Sequence, residues 1–124
     1  MAYVNLVGGQ DQLVFDGGSM VADPAGQIIG RAPRFEEAVV CLDVDVDEVS
    51  APSDGLPVVD VSDPVHRSDH LVIPPLAPLD EVGELYGALV LATRDYVRKS
   101  GFTDVCLGLS GGVDSALVLS LIHI

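Results

Sequence analysis

Residues 110–115 combine two hydroxyls, two glycines and one carboxylate in the order Ser-Gly-Gly-Val-Asp-Ser. They follow the apolar run 105–109 and precede a second one at 116–118, which predicts a buried strand, a glycine turn and a helix. Backbone N–H groups at a helix N-terminus bind anions, and glycines allow the backbone to close around phosphate oxygens. The pattern therefore predicts a phosphate-binding loop.

The carboxylate of Asp114 has the wrong charge to bind a phosphate directly. It fits the loop if a divalent cation lies between the carboxylate and the phosphate. The loop contains no lysine, so it differs from the Walker-type phosphate loop. The alternative interpretation is structural: a Gly-Gly turn followed by a helix that has Asp114 as its N-cap.

Composition limits the remaining possibilities. The chain has 124 residues, 48% of them hydrophobic, which is enough for a folded domain with a core. A net charge of −13 with six basic residues argues against nucleic-acid binding. The longest apolar stretch, near 85–92, falls well short of the roughly 20 residues that a membrane span needs. No signal peptide is predicted.

The two cysteines favour a reducing compartment. Cys41 and Cys106 both lie in apolar runs without a CxxC spacing, so we expect buried thiols rather than a disulfide or a metal pair. The chain is therefore expected to be cytoplasmic.

Residues 1–49 are typical of β structure. Asp23-Pro-Ala-Gly is a strong turn signal between two of the predicted strands. Asp43, Asp45 and Asp47 alternate with valines, which predicts an exposed strand end; a metal site is the less favoured alternative. The predicted strands are 3–7, 13–16, 19–22, 27–31 and 37–46.

Residues 50–78 hold most of the prolines and are interpreted as an extended linker. His66 and His70 are four residues apart, which on a helix could bind zinc. The neighbouring prolines make a helix doubtful, so solvated histidines are the favoured interpretation.

Residues 79–118 have helical periodicity followed by the loop motif. A helix should begin at Asp80 and Glu81 and end near Gly101. Helix, strand, glycine loop and helix together are typical of the opening of a doubly wound α/β domain, with its ligand at the carboxyl end of the strand. The apolar stripe of the predicted helix comprises Val82, Leu85, Tyr86, Leu89, Tyr96 and Val97, with Thr93 between them.

Residues 119–124, Leu-Ser-Leu-Ile-His-Ile, match one reading frame of a transposon-end adapter used in sequencing libraries. They are therefore interpreted as a non-native tail.

Two segments carry a resemblance to one known family. VCLGLSGGVDSALV at 105–118 resembles the ATP site of NAD⁺ synthetases, with the loop of the ATP pyrophosphatases. Residues 3–35 resemble the end of a nitrilase-type glutaminase domain. A glutaminase end, a linker and then a pyrophosphate loop is the layout of the glutamine-dependent NAD⁺ synthetases.

This resemblance implies an α/β fold in two parts. Residues 1–49 would be the β-rich end of a nitrilase-like α-β-β-α sandwich, and 50–78 the linker. Residues 79–118 would be the first strand, loop and helix of a Rossmann-like, doubly wound ATP-pyrophosphatase domain.

The resemblance also implies substrates and site residues. ATP, deamido-NAD⁺ and glutamine would be the substrates, Asp114 would hold Mg²⁺, and the full-length protein would be a homo-oligomer with no nucleic-acid or membrane partner. The glutaminase Glu, Lys and Cys are expected outside this chain, and Cys41 is a poor nucleophile candidate, so no catalytic residue is assigned. The residues that would line the ATP phosphates are Gly108, Leu109, Ser110, Gly111, Gly112, Val113, Asp114 and Ser115.

Two alternatives stay open at this point. One is another ATP pyrophosphatase, either similar to GMP synthetase or a tRNA-thiolation enzyme. The other is a nucleotide-binding module without catalytic activity.

Overall fold

The computed structural model describes residues 1–45, 59, 71, 73 and 76–122. It confirms an α/β protein with small sheets and two helices. The elements are β1 (Ala2–Tyr3), β2 (Val7–Gln10), β3 (Leu13–Asp16), β4 (Met20–Ala22), β5 (Ile28–Arg31), α1 (Glu81–Lys99) and α2 (Val113–Ile122). Strands β1, β4 and β5 form one antiparallel sheet in the order β1-β4-β5, and β2 pairs with β3 in an antiparallel hairpin.

The turn between β4 and β5 forms where the sequence predicts it. The N–H of Gly26 donates to the carbonyl of Asp23 at 3.1 Å. The Asp23 carboxylate accepts the N–H of Gln27 at 2.8 Å, which closes the turn. Strand β3 has the predicted bounds, and β4 and β5 each begin one residue later than predicted.

The single strand predicted at 3–7 is wrong, because the chain changes sheets there. Asn5 causes the break: its side-chain N–H group donates to Asp16 Oδ1 and to the carbonyl of Gly17, each at 3.0 Å. Its own backbone N–H donates to the hydroxyl of Ser19 at 2.9 Å. The second strand, β2, then runs through Gly8 and Gly9, where the prediction ended the strand.

The strand predicted at 37–46 does not form over its described part, 37–45. A strand needs a neighbouring strand for its ladder of hydrogen bonds, and none of the five described strands pairs with this segment. Asp43 instead pairs with Leu71: its N–H donates to the Leu71 carbonyl at 3.2 Å, and its carboxylate accepts the Leu71 N–H at 2.8 Å. Asp47, His66 and His70 lie outside the described residues.

Both ends of α1 follow the predicted signals. Asp80 is the N-cap, and its carboxylate accepts the N–H of Gly83 at 2.7 Å. Gly101 follows the C-cap Ser100 with a φ of 75°, the left-handed conformation that ends many helices. Among the described residues, neither helix is long and apolar enough to cross a membrane.

The buried side of α1 is opposite to the apolar stripe of the sequence. Leu91 is the fully buried residue of this helix, whereas Val82 and Leu85 in the stripe are 75% and 64% exposed. Small residues decide the packing, because Gly87 and Ala92 allow the hairpin and its flanking loop to approach the helix backbone closely. One polar contact from the stripe to α2 is made by the hydroxyl of Tyr86, which lies 3.2 Å from Ser120 Oγ.

Gly87→Ala is expected to destabilise the protein despite the better helix propensity of alanine. A Cβ at this position would lie 2.6 Å from ring carbon Cδ2 of Phe35, so the ring must move. Overpacking of this kind costs about 1–3 kcal/mol, against a propensity gain of about 1 kcal/mol. Thermal unfolding of the full-length protein should show a lower Tm.

The matched control for Gly87→Ala is the same substitution in a Phe35→Ala background. The ring atoms that a Cβ at position 87 would meet are then absent, and alanine should raise the Tm relative to Phe35→Ala alone. A rise of the Tm in both backgrounds would contradict the contact between Gly87 and Phe35.

Candidate phosphate-binding loop

The predicted loop leads directly into α2. Gly111 has a φ of 82°, which turns the backbone, and α2 begins at Val113. The first helical hydrogen bond runs from the N–H of Ala116 to the carbonyl of Gly112 at 3.2 Å. The N–H groups of the first turn therefore point away from the helix with no intrahelical acceptor, as an anion site requires.

The two loop hydroxyls are brought together at the start of α2. Ser110 Oγ and Ser115 Oγ lie 3.1 Å apart, and the Ser115 hydroxyl also contacts the carbonyl of Gly112 at 3.0 Å. The N–H of Gly112 approaches Ser110 Oγ at 3.4 Å, a long and weak contact. These bonds close the loop into a compact turn.

The N-cap alternative for Asp114 is wrong. Because α2 begins at Val113, Asp114 lies inside the first turn rather than before it. Its side chain is exposed and makes no hydrogen bond to the described part of the chain. A carboxylate here is favourable for the helix dipole, worth about 0.3–1 kcal/mol, but it remains free to bind a ligand.

The strand predicted at 105–109 is not assigned in the structure. Parallel strands form only within a sheet covered on both faces, and no described strand pairs with this segment. Val105 and Leu109 are accordingly 49% and 60% exposed. Within the described residues, the loop thus follows irregular chain rather than a strand.

The prediction of buried cysteines is also wrong for this chain. Cys41 and Cys106 are both free and exposed. Each lies in a segment predicted as a strand that is not assigned as one, so no described sheet covers its thiol.

The loop could hold Mg²⁺ only together with a bound phosphate, because its side chains supply a single carboxylate. The structure shows no group of three or more His, Cys, Asp or Glu side chains suited to a metal among the residues it describes. Mg²⁺ is commonly held by one or two carboxylates together with substrate phosphates and water. One exposed carboxylate at Asp114, beside two hydroxyls and free N–H groups, is consistent with that arrangement.

A concave pocket of about 430 Å³ lies elsewhere, between β5 and the start of α1. Its cationic wall includes Arg34, which is already paired with Asp16 at 2.9 Å and with Glu84. Two arginines line the pocket, Arg31 and Arg34, but the positive charge of Arg34 is already balanced by these two carboxylates. The loop therefore remains the candidate site for an anion.

Sequence reasoning missed a set of polar contacts between the hairpin and α1. Asp95 and Lys99 both bind the backbone of Gly9. Their i, i+4 spacing is visible in the sequence, but Gly9 is 86 residues away from Asp95, and no local pattern connects the two positions.

Two family models match the chain, in the predicted order. A carbon-nitrogen hydrolase model matches residues 1–52, and an NAD synthase model matches residues 85–123. A glutamine-dependent NAD(+) synthetase of Thermotoga maritima is 42% identical over 95% of this chain. The enzyme of the same name from Acinetobacter baylyi is 39% identical over 98% of it.

The resemblance to glutamine-dependent NAD⁺ synthetases is confirmed. A solved structure of the glutamine-dependent NAD⁺ synthetase of Acinetobacter baumannii, in complex with ADP, is similar with a TM-score of 0.72, 40% identity and 97% of this chain covered. The chain spans about a fifth of these synthetases: 23% of the T. maritima protein and 19% of the A. baumannii chain.

Proposed function

We propose that this chain is a segment of a glutamine-dependent NAD⁺ synthetase, an ATP-dependent carbon-nitrogen ligase. The carboxylate of deamido-NAD⁺ attacks the α-phosphorus of ATP, forming an adenylate and releasing pyrophosphate. Ammonia from the hydrolysis of glutamine to glutamate then displaces AMP, forming the amide of NAD⁺ and releasing a proton. The observation that carries the proposal is the order of the two matched segments, a carbon-nitrogen hydrolase followed by an NAD synthase.

The loop is proposed to bind the phosphates of ATP. The ADP complex of the A. baumannii enzyme supports a nucleotide site in such proteins. In this chain the free N–H groups of the first turn of α2 and the hydroxyls of Ser110 and Ser115 are the available donors. Donors fixed in advance stabilise the negative charge that develops on the departing pyrophosphate.

Asp114 is the proposed Mg²⁺ ligand. When bound, the ion would neutralise charge on the phosphates as a Lewis acid. The exposed carboxylate of Asp114 stands one residue inside α2, next to the phosphate donors. Its role is to hold the ion beside the loop.

The carbon-nitrogen hydrolase match at 1–52 disfavours enzymes similar to GMP synthetase, tRNA-thiolation enzymes and a non-catalytic module. Binding of deamido-NAD⁺, homo-oligomerisation, a cytoplasmic location and the domain bounds 1–49, 50–78 and 79–118 remain predictions.

The experiment that tests the function uses the complete gene. Sequencing outward from both ends of this segment, followed by expression and assay for NAD⁺ from ATP, deamido-NAD⁺ and glutamine, should show synthesis together with pyrophosphate release. A full-length protein that supports neither would refute the proposal.

The 124-residue chain by itself should be inactive in both reactions. It spans 19–23% of the similar synthetases, and no glutaminase catalytic residue is assigned within it. Purified chain should release no glutamate from glutamine above a blank and form no NAD⁺ with ammonium as the nitrogen source. Glutamate release by the chain would overturn this expectation.

A further inference from the structure

Helix α1 contacts both of the matched segments. On one side it packs against β2 and β3, which lie within the carbon-nitrogen hydrolase match. Residues 85–99 of α1 lie within the NAD synthase match, as does the start of α2, which α1 contacts on its other side. The contact between α1 and β2 is therefore a junction between the two parts of the proposed enzyme.

Two side chains of α1 bind one residue of β2 through both of its backbone groups. The N–H of Gly9 donates to Asp95 Oδ2 at 2.8 Å, and Lys99 Nζ donates to the carbonyl of Gly9 at 2.6 Å. Asp95 and Lys99 are themselves 3.6 Å apart and form an i, i+4 ion pair. We call these three residues the Gly9 clamp.

The clamp lies at a close approach of helix and strand. A Cβ on Gly9 would be 3.0 Å from Ala92 Cα and 3.3 Å from Asp95 Cβ, so a side chain at this position would push the helix away. The side chain of Asp95 is only 14% exposed. The bond from Gly9 to Asp95 is therefore shielded from water, which strengthens it, whereas the Lys99 side chain is 54% exposed and its bond is weaker.

The ionised form of Asp95 suits this position. Burial raises the pKa of the Asp95 carboxyl, but the hydrogen bond from Gly9 and the charges of Arg94 and Lys99 outweigh it and lower the pKa below its ordinary value. Asp95 is therefore a carboxylate at neutral pH, and the clamp keeps its charge-assisted bonds.

A second contact holds the other end of α1. Arg34, which follows β5, pairs with Asp16 of β3 at 2.9 Å and with Glu84 in the first turn of α1. Held at both ends, the helix has a fixed orientation on the hairpin. Residues 100–109 then lead directly from α1 to the phosphate loop.

We propose that Asp95 and Lys99 are positioning residues that couple ammonia release to amidation by holding α1 on Gly9. This inference rests on the proposed function. Ammonia is small and diffuses away unless the site that releases it and the site that consumes it stay aligned. A shift of α1 on β2 would move the phosphate loop relative to the glutaminase part and allow ammonia to escape.

The test compares two nitrogen sources in the full-length enzyme. With glutamine, Asp95→Ala and Lys99→Met should raise the number of glutamines hydrolysed per NAD⁺ formed by about fivefold or more, the lower range of measured coupling between sites. With ammonium supplied, NAD⁺ synthesis should stay close to the wild-type rate. Asp95→Asn, which keeps an oxygen to accept the Gly9 N–H, should restore most of the coupling.

Arg98→Met is the matched control for Lys99→Met. Arg98 lies in the same last turn of α1 and is exposed, so its loss removes one positive charge without touching Gly9. The Arg98→Met enzyme should hydrolyse as many glutamines per NAD⁺ formed as the wild type.

Three results would overturn the inference. The first is an Asp95→Ala enzyme with wild-type activities that hydrolyses as many glutamines per NAD⁺ formed as the wild type. The second is an Asp95→Ala enzyme in which glutamine hydrolysis and NAD⁺ synthesis fall by the same factor, which indicates a purely structural role. The third is a rise in Arg98→Met as large as in Lys99→Met. If Asp95→Ala is insoluble, the same ratio measured for Lys99→Met tests the inference. A wild-type enzyme that makes no NAD⁺ from either glutamine or ammonium refutes the proposed function instead.

Discussion

Asp114→Asn in the full-length enzyme is expected to slow adenylation by about 10²–10³-fold, the usual effect of losing one electrostatic contact in a transition state. A neutral amide holds Mg²⁺ poorly, since the ion prefers charged oxygen ligands. The fold should survive, because the exchange is nearly isosteric and Asp114 is exposed in the first turn of α2. Any loss of helix stability is limited to about 0.3–1 kcal/mol.

The measurement is ATP–pyrophosphate exchange with deamido-NAD⁺ across a Mg²⁺ titration. Asp104→Asn is the matched control, because Asp104 is also exposed and contacts only the hydroxyl of Thr103, at 2.9 Å, among the described residues. Glutamine hydrolysis should change less than exchange, since its nucleophile is expected in the other part of the enzyme. If Asp114→Asn exchanges pyrophosphate at the wild-type rate at every Mg²⁺ concentration, Asp114 does not bind the ion and only interacts with the helix dipole.

Local signals in the sequence were sufficient for features that depend on neighbouring residues. The helix start at Asp80 and Glu81, the turn at Asp23 and the helix end at Gly101 each depend on a few adjacent residues, and all three form as predicted. The start of α2 after Gly111 and Gly112 belongs to the same class. These features put the candidate loop directly before α2.

Features that depend on distant partners could not be predicted from local pattern. The buried side of α1 is chosen by Gly9 and Phe35, which are far from the helix in sequence. Apolar periodicity indicates only the stripe, whereas the close contacts of Gly87 and Ala92 depend on partners that no spacing in the helix reveals. Residues 105–109 and Cys106 were predicted as buried strand, but that burial requires sheet partners that the described residues do not supply.

Gly111→Val should abolish most ATP use in the full-length enzyme, whereas Gly101→Val should not. Gly111 and Gly101 have φ values of 82° and 75°, and an added Cβ would meet no heavy atom within 4 Å at either position. Left-handed backbone costs a residue with a Cβ about 1–2 kcal/mol, so both variants carry similar strain. They differ in what they face, because only Gly111 lies in the loop.

The valine at position 111 would stand where phosphate oxygens must approach the N–H groups of the loop and the first turn of α2. Adenylation should fall by about 10²-fold or more, with a raised KM for ATP, while both variants lower the Tm of the enzyme by similar amounts. Steady-state kinetics and thermal unfolding of the two proteins, run side by side, separate the effects. Equal losses of ATP affinity in Gly111→Val and Gly101→Val would mean that backbone strain alone is responsible, and the loop would lose its assignment as the phosphate site.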